Sequence, residues 1–388
     1  MTIHYGVDIG VEREGDVSKS SGEASSDPSG KQFEEIMMMG HLGRSLREGD
    51  WLRIFNDPHG FRNPRLEGVE IMVLDNFQAD WAGNSHGESV TYVAQRAVSQ
   101  PGVEVLMRQV RSRSRWGIPE TGISLSGLAI QLSQIASSEN PPEVINLSFG
   151  DSPARVFEPT FKAFHKRFAE EHGSDDSRWS AATLKEFKDK LQKLAKQAVD
   201  DFNTKKGDNI ETLERAVQAL VDNGVTVVMS GGNDGHLAGM LRELDVDTPD
   251  EFWKSMFGQS VSADGVIVVG ATDAEGQPAD FSNPSGFVDV ATEGVRVPVS
   301  FYGERGTGTS FAAPKVAALA ADILAIRPEL TPADVEAIIR ESASPVAGEE
   351  ESLGAGIVNP DKARELARNW VPGADSPDMT SPSISLPN

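Results

Sequence analysis

The chain has 388 residues, of which 38% are hydrophobic and 37 are glycine, a composition that fits a globular α/β protein of one large or two ordinary domains. Its 59 acidic against 36 basic residues give a net charge of −23, which repels nucleic acid and anionic membranes, so neither is expected as a partner. The absence of cysteine excludes disulfides, thiolate metal sites and cysteine nucleophiles. Met1 to Lys31 lacks a basic stretch followed by an apolar core, and no apolar run approaches the roughly 18 residues of a membrane span. The default expectation is therefore a cytoplasmic protein, with export by a signal-less route left open.

Residues 1–32 are rich in Ser, Gly, Asp and Glu after a short apolar segment, Ile3 to Ile9, and are expected to be disordered or a short N-terminal extension. A segment such as Ile3 to Ile9 can also lie in the protein's own cleft as an extended strand. Phe33 to Leu46 reads as a short helix. Val69 to Leu74 is a nearly continuous apolar run ending at Asp75, the pattern of a central parallel strand running into a loop. Ligands bind beyond the carboxyl ends of such strands, which places Asp75 well for chemistry. Eleven residues later comes Asn84-Ser85-His86-Gly87, and the helix-like run Glu88 to Ser99 puts His86 in a first helical turn.

Val103 to Val110 is a second strand, whose end overlaps a basic face formed by Arg108, Arg111, Arg113 and Arg115; Ile123 to Ala136 is an amphipathic helix. Glu143 to Gly150 is a third strand ending in small residues. From Asp151 to about Asn209 the composition turns charged and helical. Phe157, Phe161, Phe164 and Phe168 form one stripe, and Leu184, Phe187, Leu191, Leu194, Ala198 and Phe202 form another, at steps of three and four. Two such helices suggest an αα-hairpin packed on the body, with a lid or partner-docking surface as the functional alternative.

Ile210 to Asn223 reads as a separate helix, and Val225 to Met229 as a strand that enters Ser230-Gly231-Gly232-Asn233-Asp234-Gly235. That loop alone is compatible with a turn, a phosphate site or an oxyanion donor. Val266 to Val269 and Phe287 to Ala291 are further strands, and Thr331 to Glu341 a helix. Gly306-Thr307-Gly308-Thr309-Ser310-Phe311-Ala312-Ala313-Pro314 precedes a long Ala-rich apolar helix, with small residues that let the backbone approach other elements and Pro314 expected in the tolerant first turn. By itself Ser310 reads as an N-cap. Residues 371–388 hold four prolines among Asp and Ser and are expected to form a disordered tail. Strand and helix alternate along most of the chain, which argues for a mainly parallel central sheet with helices on both faces.

Taken in order, these segments resemble the subtilases, the subtilisin-like serine peptidases. Val73-Leu74-Asp75 is similar to the family's aspartate strand, Asn84-Ser85-His86-Gly87 to its histidine motif, and Gly308 to Pro314 to its serine motif. Val144 to Gly150 resembles its cleft strand, and Met229 to Gly235 the segment with its oxyanion asparagine. The resemblance runs from Val69 to Arg364, so one peptidase domain, residues 33–370, with a helical insertion at about 152–209, is expected. It implies a Ser310 nucleophile, a His86 base, an Asp75 orienter and an Asn233 oxyanion donor. A serine hydroxyl needs such a base near neutral pH.

The resemblance further implies that a protein or peptide substrate lies extended between Ser148, Phe149, Gly150 and Asp151 on one side and Ser230, Gly231 and Gly232 on the other. Asp151 suggests a preference for basic side chains. The chemistry requires no cofactor, and the sequence leaves structural calcium open. Phe77 stands where a Gly is usual, the connection from Asp75 to His86 is short, and Glu88-Ser89 follows Gly87 where Thr and His usually do. The 68 residues before Val69 are too few for a large inhibitory pro-domain plus the domain's own start, so none is expected. The expected function is a restricted-specificity serine endopeptidase working through an acyl-enzyme. A catalytically silent binding module and an acyl-transferring macrocyclase are the alternatives.

Overall fold

Val69 to Asp75 (β2), Val103 to Gln109 (β3), Val144 to Leu147 (β4), Thr226 to Ser230 (β5), Val266 to Thr272 (β6) and Val290 to Glu293 (β7) form one six-stranded sheet in the order β3-β2-β4-β5-β6-β7, parallel throughout. The computed structural model describes residues 11–12, 68–77, 85–110, 125–148, 153–248, 264–283 and 288–372. All of these except Gly68 lie in one compact unit. A second, small sheet joins Val11–Glu12 (β1), Arg305–Gly306 (β9) and Val297–Pro298 (β8) as antiparallel neighbours.

The near-continuous apolar strands are explained by burial on both faces. In β5, Val228 packs on one side with Ile71, Val144, Ile267 and Val269 against the Ala-rich helix Thr309–Ile326. Val227 and Met229 point the other way, with Ile145 and Leu147, onto the helix Leu125–Ala136 (α2) and Leu213, Val217 and Leu220 of a longer helix. The helix His86–Ala97 (α1) lies beside the Ala-rich helix and buries Val90, Val93 and Ala94 with Val73 and Phe311. Small alanines along Thr309–Ile326 permit this close packing. The helix is also 18 residues long and apolar enough to cross a membrane, contrary to the expectation that no run approached that length; 78% of it is buried inside the protein.

The charged segment after β4 forms the helix Pro153–His172 (α3) and then a 42-residue helix, Ala181–Asp222 (α4). The expected hairpin is present, but its second arm does not stop near Asn209. It continues without a break through the stretch read as a separate helix, tolerating Gly207 at a propensity cost of about 1 kcal/mol. The two apolar stripes are consumed in packing: Phe157, Phe161, Phe168, Phe187 and Leu191 are buried, Phe164, Leu184, Leu194 and Ala198 half-buried. They share a cluster with Leu237 and Leu241 of the unforeseen helix Gly235–Glu243 (α5) and with Leu244 and Val246 beyond it. Gln192 of α4 donates to Leu244 O at 2.7 Å, satisfying a carbonyl at the end of α5.

Thr309–Ile326 (α6) is followed by Pro332–Ser342 (α7), Glu350–Leu353 (α8) and Pro360–Asn369 (α9). Two local expectations at α6 change. Its N-cap is Gly308, so Ser310 is the second helical residue and not a cap; Pro314 lies beyond the first turn, where it withholds the N–H that would otherwise bond Ser310 O. The expectations for residues 1–10 and 33–46, and for the tail beyond 372, concern residues outside those described.

Candidate active site

The sheet order makes β2, β4 and β5 neighbours, so their carboxyl ends bring Asp75, Ser148 and the loop Gly231–Asp234 to one edge of the sheet. Asp75 ends β2 and is 1% exposed. Val110 N donates to its carbonyl at 2.9 Å and Asn76 N to its Oδ1 at 2.6 Å, which fix the residue and its carboxylate. His86 is the first residue of α1, whose N-cap Ser85 and third residue Glu88 cap each other reciprocally. Its Nδ1 lies 2.9 Å from Asp75 Oδ1 and 3.1 Å from Oδ2, and its ring meets Phe311 at 5.7 Å between centroids.

Burial of the imidazole, the largest single influence, lowers its pKa; the charge of Asp75 and the hydrogen bond to it together outweigh that and hold His86 above its ordinary value. With 39% of the side chain exposed, solvent weakens both the burial effect and the attraction to Asp75.

Ser310, in the first turn of α6, directs its Oγ at Ser148 O at 2.8 Å. Among the described residues no hydrogen bond joins it to His86. The hydroxyl is therefore engaged by the carbonyl that follows β4. Asn233 is held by Thr309: its Oδ1 accepts from Thr309 N and from Thr309 Oγ1, both at 2.9 Å. The amide plane then turns Nδ2 away from Thr309, and Gly232 N closes the link by donating to Thr309 Oγ1 at 3.2 Å. The loop before Asn233 is thus tied to the residue before Ser310.

Ser148 and Ser230 are buried at the ends of β4 and β5, Gly231 is buried, and Gly231 N donates to Val269 O at 2.8 Å. Phe149, Gly150 and Asp151 lie outside the described residues. Two glycines are required by close approach. A Cβ on Gly306 would stand 2.5 Å from the Phe311 ring, and one on Gly87 would stand 2.8 Å from the Phe77 ring. Phe77, unusual at its position, thus covers Gly87 and joins the cluster of Val73, Val90 and Phe311. Among the described residues there is no group of three or more His, Asp or Glu side chains able to hold a metal ion, so the open question of calcium gains no donor set here.

Sequence reasoning missed Thr309, read only as a small residue, and Asn283, whose side chain reaches the Gly231–Asp234 loop from the segment that follows β6. Thr309 carried a signal, a hydroxyl adjoining Ser310. Asn283 carried none, since its partners are some fifty positions away.

The parallel sheet thus carries an Asp–His couple at its carboxyl edge, near the loop that is tied to the first turn of the serine-bearing helix. The model of the subtilase family (peptidase S8) matches residues 75–356, well over half of the chain, and the chain belongs to that family. It is similar to "Subtilisin-like protease 2" of Pseudogymnoascus destructans, 35% identical over 128 residues, covering 32% of this chain and 28% of that protein. It is also similar to "Extracellular protease" of Xanthomonas campestris pv. campestris, 31% identical over 171 residues, covering 41% of this chain and 26% of that protein. Each match thus spans under a third of the relative's length. Among solved structures, the self-cleaved protease domain of PatA matches 78% of this chain and 99% of its own, at 21% identity and a TM-score of 0.46.

Proposed function

We propose that the chain is a serine endopeptidase that hydrolyses peptide bonds of protein or peptide substrates with restricted specificity. The observation that carries this is the pairing of buried Asp75 with His86 Nδ1 at the edge of the sheet that also presents Ser310. With Nδ1 engaged, Nε2 is the nitrogen left to act as base. An extended substrate claims Ser148 O for one of its own N–H groups and so releases Ser310 Oγ to turn toward His86. Oγ attacks the scissile carbonyl carbon as His86 Nε2 takes its proton, and Asp75 stabilises the imidazolium. The oxyanion is received by Ser310 N–H, unbonded within the first helical turn, and by Asn233 Nδ2. Collapse expels the amine, protonated by His86. Water, deprotonated by the same histidine, then frees the acid and regenerates Ser310.

Ser230, Gly231 and Gly232 would line the first specificity pocket, and Asp151 would favour basic side chains in the substrate; a cleaved peptide pool with no Lys or Arg preference removes that last assignment. The test of the whole reading is labelling by a fluorophosphonate, expected on Ser310 in wild type and lost in Ser310→Ala and His86→Ala. A folded wild type that takes no label would leave a silent binding module as the function.

A further inference from the structure

The asparagine at the centre of the proposed oxyanion site is itself held by another asparagine. Asn283, 1% exposed, spans the loop that carries Asn233. Its Nδ2 donates to Gly231 O at 3.0 Å, its Oδ1 accepts from Asp234 N at 2.7 Å, and its own N donates to Gly232 O at 3.2 Å. One residue thus engages the backbone on both sides of Asn233. The neighbouring contact extends the grip, because Gly235 N donates to Phe281 O at 2.9 Å.

The fit is close enough to dictate glycine. Gly232 has φ +95, and a Cβ there would lie 2.2 Å from Asn283 Nδ2; a Cβ on Gly235 would lie 2.5 Å from both Asp280 O and Ser282 O. The segment 280–283 is therefore pressed along the whole loop. Only a short primary amide offers a donor and an acceptor at this reach. Aspartate would set an oxygen against Gly231 O, serine is too short to span both partners, and alanine would strand two buried backbone groups.

An oxyanion donor is effective only when it is already aimed at the position the charge will occupy. Thr309 fixes the orientation of the Asn233 amide, but its backbone position depends on the loop. We propose that Asn283 is a positioning residue that holds the Gly231–Asp234 loop so that Asn233 meets the oxyanion; the inference rests on the peptidase reading above. Asn283 contributes no group to the reacting atoms and acts through Asn233 alone.

This dependence makes the test a double-mutant cycle. On a peptide substrate, Asn283→Ala should lower kcat by about 10- to 100-fold with KM within about threefold of wild type. In an Asn233→Ala background the same substitution should cost less than about threefold, because the donor it serves is gone. Losses that multiply in the double variant would overturn the proposal, since a merely structural residue lowers both backgrounds alike. Should Asn283→Ala fail to fold, Asn283→Asp, of equal size, replaces it. Amide hydrogen exchange gives a readout independent of turnover. In Asn283→Ala, or in Asn283→Leu should the alanine variant not fold, the Asp234 amide loses its acceptor and should exchange at least about tenfold faster than in wild type while α6 stays unchanged, and unaltered exchange at Asp234 would sink the idea. If the wild type hydrolyses nothing, the peptidase reading falls, and the exchange result still decides whether Asn283 clamps the loop.

Discussion

Ser310 Oγ donates to Ser148 O at 2.8 Å and not to His86, although Ser310 and His86 occupy the first turns of two helices packed side by side. Ser148 O thus holds the hydroxyl in the free protein, and under the proposed function the substrate's own N–H competes for that carbonyl. Two expectations follow from this site and two from charged clusters elsewhere in the fold, besides the test of the central claim.

The Asp75–His86 couple fixes the pH profile. Because Asp75 raises the His86 pKa, the acid limb of kcat/KM should fall at a pH above the ordinary histidine value of about 6.5. Asp75→Asn removes both raising influences and leaves burial, which lowers the pKa. Its limb should move to lower pH while kcat drops by about 10⁴. The same shift gives a stability contribution that is complete below about pH 6.5 and lost as pH rises through the folded-state value. A pH–rate profile of both proteins checks this; coincident limbs would contradict it.

Thr309 anchors Asn233 through its hydroxyl and its backbone amide. Thr309→Val keeps the shape and the amide but removes both Oγ1 bonds, to Asn233 Oδ1 and from Gly232 N, and should lower kcat by about tenfold with little change in KM. Asn233→Ala, which removes the donor, should cost about 10² to 10³. That range comes from a related subtilase and not from this chain. Steady-state kinetics of the two variants should therefore rank them, with Asn233→Ala the more severe.

Far less of this site was legible in the sequence than of the fold. Strands β2, β4 and β5 could be read because burial on both faces leaves near-continuous apolar runs, and α6 because its long Ala-rich apolar run is unbroken. The merging of the Ile210 helix into α4 was not legible, since Gly207 and the polar residues around it look like a break and tertiary packing overrides that local signal. The helix α5 hid behind the glycines before it, although Leu237, Leu241 and Leu244 stand at steps of four and three. Asp75, His86, Ser310 and Asn233 became candidates through motif order, whereas the contacts of Thr309 and Asn283 depend on which carbonyls and amides meet across the sheet edge.

A second titrating cluster lies away from the site. Burial pushes Asp289 up to about 7, the neighbouring Glu336 carboxylate adds to this, and Val268 N–H and Arg340 oppose it; burial also raises Glu336. One guanidinium, Arg340, serves both carboxylates at 3.2 and 3.0 Å. Between about pH 4 and 7 the folded protein holds a proton that the unfolded chain has released, so this cluster's contribution to stability falls as pH rises through that window and is flat above it. Denaturant midpoints at pH 5.5 and 8 should differ less in Asp289→Asn than in wild type. An unchanged difference would contradict the assignment.

Asp322, wholly buried in α6, accepts from Ser99 N, Ser99 Oγ and Gln100 N and pairs with Arg364 at 2.9 Å. Asp322→Ala strands those donors and takes from Arg364, only 14% exposed, its buried partner while the exposed Asp361 stays paired with it at 3.1 Å. A loss of about 3–5 kcal/mol is expected in chemical denaturation. A loss below about 1 kcal/mol would show that water replaces the carboxylate freely.

The central claim is that Ser310 performs acyl transfer to water. Its most direct test is to incubate wild type and Ser310→Ala with a proteome-derived peptide library and read the products by mass spectrometry. The account expects new termini, each gained with one water, in the wild-type sample alone. Identical product sets from the two proteins would contradict it.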